Sequence, residues 1–138
     1  MTDEQLRIRA LTAEEYWVPS IRAVEALVRG GGRAWVYLLD FAESSGALKG
    51  FAFHTLDVRM VWDRPSAQAA NARAEAALAR QMSQAWIAFL RGEAPASHGL
   101  PFWPEYRADF QATMLLDAES RVELNPQEAE LRLWNGVL

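Results

Sequence analysis

The sequence predicts an α/β fold, and three segments carry that prediction. Residues 34–39, Ala-Trp-Val-Tyr-Leu-Leu, are continuously apolar and rich in aromatic and β-branched side chains, the pattern of a strand covered on both faces and set inside a sheet. Residues 65–91 place Ala74, Leu78, Met82, Ala85, Trp86 and Phe89 at spacings of three and four, the stripe of one long helix. Residues 112–117 and 121–124 flank Ala118-Glu119-Ser120 as a short hairpin.

The remaining elements follow from local chemistry. Thr12-Ala13-Glu14-Glu15 reads as a capping box, in which a hydroxyl and a carboxylate satisfy the orphan amides of a helix start. Pro19 lacks an amide and clashes with the preceding turn, so the main helix is expected to begin there, with Ile21, Val24, Leu27 and Val28 as its apolar stripe. Gly30-Gly31-Gly32 then reads as a helix C-terminal cap. A phosphate cradle would lie between a strand and a following helix, which is the opposite order. Residues 42–50 carry loop punctuation and lead into Phe51-Ala52-Phe53-His54, and Gly92 closes the long helix. Residues 93–106 are too rich in proline and aromatics for a helix or a central strand and are expected to form an ordered loop. Asn125-Pro126-Gln127-Glu128 supplies a last helix with an N-cap, a first-position proline and a capping-box Glu.

Composition bounds the function. The chain has 138 residues, enough for a single domain (1–138) with its own core and no need of disulfides or a structural metal. It has no cysteine, which excludes thiol chemistry. Fourteen Lys and Arg against 18 Asp and Glu give a net charge of −4, with the bases scattered, so no nucleic-acid partner is expected. No apolar run approaches the roughly 18–20 residues that cross a bilayer, so no membrane partner is expected either. The opening Met1-Thr2-Asp3-Glu4-Gln5 is acidic where a secretory signal is basic and then apolar, and the expected compartment is the cytoplasm.

Few residues offer chemistry. His54 and His98 are the only histidines; His54 and Asp57, three apart, fall short of the three or four ligands of a zinc site, and no metal or other cofactor is expected. The acids are spread evenly, without the facing pair of a glycosidase. Pro95-Ala96-Ser97-His98-Gly99 is the nearest approach to a Gly-x-Ser-x-Gly nucleophile elbow, but proline takes the first glycine's place and a helix precedes it where a strand is needed. His54 is the best acid–base candidate, in a loop flanked by Phe51, Phe53 and Trp62; a structural role is the competing reading.

The residues around His54 resemble the type-B carboxylesterases, the family of cholinesterases and bacterial para-nitrobenzyl esterases. Tyr16-Trp17-Val18-Pro19-Ser20-Ile21-Arg22 resembles that family's aromatic-x-x-Pro-Ser/Ala-x-Arg helix, and Val36-Tyr37-Leu38-Leu39-Asp40-Phe41 its Val-Tyr-x-Tyr-x-Phe strand. Phe53-His54-Thr55-Leu56-Asp57-Val58 is similar to the segment of the catalytic histidine, His-Gly/Ala-x-Glu/Asp-Leu/Ile. Ala85-Trp86-Ile87-Ala88-Phe89, Trp103-Pro104-Glu105-Tyr106 and Thr113-Met114-Leu115-Leu116-Asp117 continue the series in the family's order. Two departures stand out. Arg59-Met60-Val61-Trp62-Asp63 occupies the place of Pro-Phe/Tyr-Val-Phe-Gly, a charge for a proline, and Gly92-Glu93-Ala94-Pro95 loosens the family's Gly-Asp-Pro.

The resemblance implies an incomplete α/β-hydrolase: its C-terminal portion, with a buried strand, a long helix, and a C-terminal hairpin and helix. In that family the triad runs Ser, then Glu or Asp, then His, so such a portion holds the histidine and lacks the serine elbow. His54 is then the triad base, Asp57 a residue that supports it or its turn, and Phe53, Met60 and Trp62 candidates for an apolar ester pocket, with core packing as the competing role. The implied partner is a small apolar ester once a serine-bearing segment completes the site. Three readings follow: a C-terminal fragment, one half of a split enzyme, or a domain that kept the fold and lost the chemistry. A strand with uncovered edges further predicts self-association or a partner chain. The alternative of another class is a non-enzymatic small α+β binding or assembly domain that uses residues 100–106 as its contact surface.

Overall fold

A computed structural model of the chain describes residues 2–47 and 49–137. The first helical stretch runs without a break from α1 (Asp3–Thr12) through a π-helical turn (Ala13–Trp17) into α2 (Val18–Arg29). The capping box lies at Thr2 and not at Thr12: the Gln5 amide donates to Thr2 Oγ1 at 3.2 Å, and the Thr2 amide donates to Gln5 Oε1 at 2.9 Å. Pro19 lies in the first turn of α2, one residue past its start, but no break precedes it. The Val18 amide reaches back five residues to the Ala13 carbonyl, and this widened turn lets the helix pass a residue that cannot donate. Of the expected stripe, Ile21 is buried, Val24 and Val28 are partly buried, and Leu27 is exposed. The glycines cap α2 as expected, with the Gly30 amide bonded to the Ala26 carbonyl and Gly31 in the left-handed region at φ 85°.

The sheet has three strands in the order β1 (Val36–Leu39), β2 (Ala112–Leu116), β3 (Arg121–Leu124). β1 runs parallel to β2 with Val36 opposite Thr113 and Leu39 opposite Leu116; β3 runs antiparallel, with Ala112 opposite Leu124. The expected hairpin is therefore present. Its turn is closed by the Asp117 amide donating to Ser120 Oγ and the Ser120 hydroxyl donating to the Asp117 carbonyl.

The continuous apolarity of residues 34–39 has the predicted cause but not the predicted place. Trp35, Tyr37 and Leu39 pack on one side against the larger core, while Ala34, Val36 and Leu38 pack on the other against Trp17 and Ile21. Both faces are covered, yet β1 is an edge strand of this sheet, and the central strand is β2, buried at all five positions. The difference arises because face burial is written in side chains, whereas edge pairing is made by backbone groups common to every residue.

The larger core lies between the sheet and two helices, α3 (Leu56–Val61) and α4 (Ala72–Leu90), and is built from Phe41, Leu56, Met60, Leu78, Met82 and Met114 with their neighbours. α4 starts later than the expected Pro65. Residues 67–71 form turns, and the Ser66 amide donates to the Glu75 carboxylate at 2.9 Å instead of entering a helical ladder. Leu78, Met82 and Ala85 carry its buried stripe, whereas Phe89 is half exposed. Loop 93–106 is tied to β1 by Trp103 Nε1 donating to the Val36 carbonyl (3.2 Å) and the Tyr106 amide donating to the Ala34 carbonyl (2.8 Å). The last helix, α5 (Glu128–Leu133), lacks the expected capping box: Asn125 is left-handed at φ 47° with its amide on the Gln111 carbonyl, and Gln127 becomes the cap residue without a side-chain bond.

Because β2 has covered faces and a paired strand on each side, truncation there leaves a cavity that little can fill. Leu116→Ala is expected to lower stability by about 2–5 kcal/mol in urea unfolding followed by tryptophan fluorescence.

Candidate functional site

From the end of β1 the chain crosses a loop and delivers His54 in a tight turn that opens α3. The Leu56 amide bonds back to the Phe53 carbonyl and the Val58 amide to the Thr55 carbonyl, which closes the turn around His54. Thr55 is left-handed at φ 73°. A β-branched residue in that region is a genuine outlier, at a cost on the order of 1–3 kcal/mol that surrounding contacts must offset.

The imidazole of His54 is exposed and stacks on the ring of Tyr16, with centroids 4.7 Å apart and planes 29° apart. Tyr16 comes from the π-helical turn. The extra residue in that turn allows Trp17 to enter the core while Tyr16 lies over the histidine. Tyr16 is the first contact of His54 that composition and spacing leave unmarked, although it opens the quoted aromatic-x-x-Pro motif.

Asp57 does not meet His54. Its Oδ2 accepts a hydrogen bond from the Tyr37 hydroxyl at 2.7 Å, a bond that ties α3 to β1. Burial and this carboxylate hold the Tyr37 proton well above the ordinary phenol range, so Tyr37 is a fixed donor and not an acid near neutrality. Tyr37 is in turn packed edge-on by Trp86 at 5.1 Å and by Trp103 at 6.3 Å. Among the described residues no carboxylate is bonded to His54.

The three candidate pocket residues do not come together. Met60 is fully buried in the core, Phe53 packs against that core from its margin, and Trp62 is 73% exposed. Only Trp62 reaches the open hollow of about 560 Å³ beside the turn, whose other walls are Thr55, Val58, Arg59 and Arg64. The helical period explains the split: in α3 Met60 lies one turn from Leu56 on the inner face, and Trp62, just beyond its last turn, projects outward. Ser97 is engaged as well, its hydroxyl donating to Gln84 Oε1 at 2.7 Å, far from the arrangement of an activated nucleophile.

A charged cluster stands behind the turn. Arg59 Nη2 lies 2.9 Å from Glu43 Oε2 and 2.9 Å from Glu75 Oε1, and Glu75 is completely buried. The Arg59 hydrogen bond, with help from the Ser44 amide, holds the Glu43 carboxyl below its ordinary value of 4.5. No sequence signal marks this cluster, because its members are separated by loops.

Comparison with known proteins bears on this arrangement. The sequence model of the Carboxylesterase family matches residues 4–134. The chain belongs to the carboxylesterase family. It is 24% identical to rat carboxylesterase 1E over 127 residues, covering 89% of this chain and 22% of that protein. It is 25% identical to the Bacillus subtilis para-nitrobenzyl esterase over 126 residues, covering 88% of this chain and 25% of the relative. A solved Geobacillus stearothermophilus carboxylesterase superposes with a TM-score of 0.80 at 25% identity, over 97% of this chain and 28% of the other. The chain thus spans about a quarter of the length of these relatives, and its fold is that of an α/β-hydrolase portion.

Two consequences are measurable. Tyr37→Phe removes the hydroxyl that holds Asp57, and a bond to a charged acceptor contributes about 1.5–3 kcal/mol, so urea unfolding should show a loss of that order. A carboxyl depressed on folding stabilises fully above its unfolded pKa and loses that contribution as pH falls through the lower folded value. Below pH 4.5 the unfolding midpoint should therefore drop in the wild type, and the drop should be shallower in Glu43→Gln.

Proposed function

We propose that this carboxylesterase segment supplies the triad histidine of a serine ester hydrolase, with His54 as the base, and that the serine and the acid belong to a segment outside this sequence. The observation that carries the reading is the placement of His54 itself. Its ring is exposed in the turn that opens α3, is stacked on Tyr16, and is bonded to no carboxylate among the described residues. One ring nitrogen would accept the serine proton as the hydroxyl attacks the ester carbonyl, then return it to the departing alcohol; water repeats the sequence on the acyl-enzyme and releases the acid. The other nitrogen needs a carboxylate to fix the tautomer, and Asp57, committed to Tyr37, supports the turn instead. The substrate in this reading is a small apolar ester, as hydrolases with apolar pockets take.

An open sheet edge supports the reading that a completing segment joins at β1. The Asp40 amide bonds to the Leu116 carbonyl, so even-numbered residues of β1 direct their backbone groups to β2, and Tyr37 and Leu39 direct theirs outward. This edge is apolar, and Trp35, Trp86, Phe89 and Trp103 line a groove of about 260 Å³ beside it. The opposite edge, β3, carries an exposed Arg121–Glu123 ion pair, a pattern that discourages pairing. These features favour β1 over β3 as the edge that a further strand, from a serine-bearing segment or a second copy, would pair with.

Alone, the purified chain should hydrolyse a short-chain p-nitrophenyl ester no faster than free imidazole; turnover that disappears in His54→Ala would show a complete site within these residues and overturn the division of labour. Joined to a serine-bearing segment it should turn over, and His54→Ala should then lower kcat by at least about 10²–10⁴-fold. Light scattering at micromolar concentration should find self-association of the lone chain, and a stable monomer would count against the open β1 edge.

A further inference from the structure

The Glu43–Arg59–Glu75 cluster is poorly made as a source of stability. Glu75 Oε2 and Arg59 Nε are both buried without a hydrogen-bond partner, and a buried ion pair with such gaps recovers little of its desolvation. Its connections are more informative. The backbone of Glu43 brackets the chain entering the turn, its amide donating to the Phe51 carbonyl (3.0 Å) while its own carbonyl accepts from the Gly50 amide (2.8 Å). The side chain of the same residue holds Arg59 on the segment leaving the turn, and the Arg59 guanidinium lies 5.9 Å over the ring of Phe53, the neighbour of His54. Glu75 anchors the far side of the guanidinium to α4. Between these two pinned segments stand only His54 and the left-handed Thr55.

We infer that the Glu43–Arg59–Glu75 cluster is a positioning clamp that forces Thr55 into its left-handed conformation and thereby fixes the ring of His54 against Tyr16. The strained turn and the ionic cluster become one device. Thr55, β-branched and left-handed, strains the turn, and Arg59, held by Glu43 and Glu75, supplies the ionic hold that keeps it closed. Released from the clamp, Thr55 should relax to negative φ and swing His54 away. A glycine at 55 reaches positive φ without strain and should keep the ring in place with no clamp at all. The inference bears on catalysis only through the reading of His54 given above.

The test therefore reads the ring and not turnover, so that either can fail while the other stands. In the isotopically labelled full chain, NOEs between the His54 and Tyr16 rings and the ring-current shift of the His54 Hε1 proton report the stack. Arg59→Met with Glu75→Gln removes the clamp without leaving the fully buried Glu75 as an unpaired charge, while Glu43 keeps the Ser44 amide, and the expected result is loss of both signals while the core resonances of β2 persist. Adding Thr55→Gly should restore them, an outcome that a merely structural ion cluster would not produce. Signals that survive clamp removal, or that glycine does not restore, overturn the inference. If the double variant does not fold, Glu43→Gln with and without Thr55→Gly is read by the same criteria.

Discussion

β2 is buried at every position, and the molecule is arranged around satisfying it. A strand with no exposed residue needs cover on two faces and backbone partners on two sides. β1 and β3 supply the partners, α3 and α4 cover one face, and the N-terminal helical stretch with Trp17, Ile21 and Tyr106 covers the other. β1 shares both layers by alternation, its odd residues facing α4 and its even residues facing the N-terminal helix. Burial of this kind is non-directional and large in sum, so the layers set the position of the chain before any polar contact refines it.

The turn that carries His54 depends on that arrangement at second hand. Once β1 and α4 are fixed, the connection between them must reverse direction at the strand's end, and it does so through a short helix pinned on both sides. Tyr37 holds Asp57 from the strand, while Glu43 and Glu75 hold Arg59 from the loop and from α4. The exposed histidine is thereby carried on a connection pinned from both sides, although it makes no hydrogen bond among the described residues. A reactive side chain benefits from such a support, because its own freedom is reduced by neighbours that do not occupy its polar atoms.

Much of this was legible. The long helix, the hairpin and the two-faced strand each carry a periodic pattern, and the motifs around His54 place the chain among carboxylesterases because they pair a turn, an aromatic and a titratable residue in a fixed order. Boundaries were less legible. Pro65 and Asn125 look like helix starts because a side chain or a missing amide suits that position, but Ser66 and Asn125 find partners elsewhere, and the helices begin later. Pro19 looks like a break because it cannot donate to an α-helical ladder, and a π-helical turn absorbs it. Met60 and Trp62 look like one pocket because they are two apart, and the helical period sends them to opposite sides.

By itself, the sequence determined which residues are apolar and at what period, and hence the class of fold and the elements that make it; it also determined that a histidine follows the strand. Tertiary structure alone decided which strand is central, which edge is left open, and which residues stand behind the histidine. The reason is physical. Periodicity is a property of neighbours along the chain, whereas strand order, the stack of Tyr16 on His54 and the meeting of Glu43, Arg59 and Glu75 arise between segments far apart in sequence, where ordinary residue types acquire their roles only from what packing brings beside them.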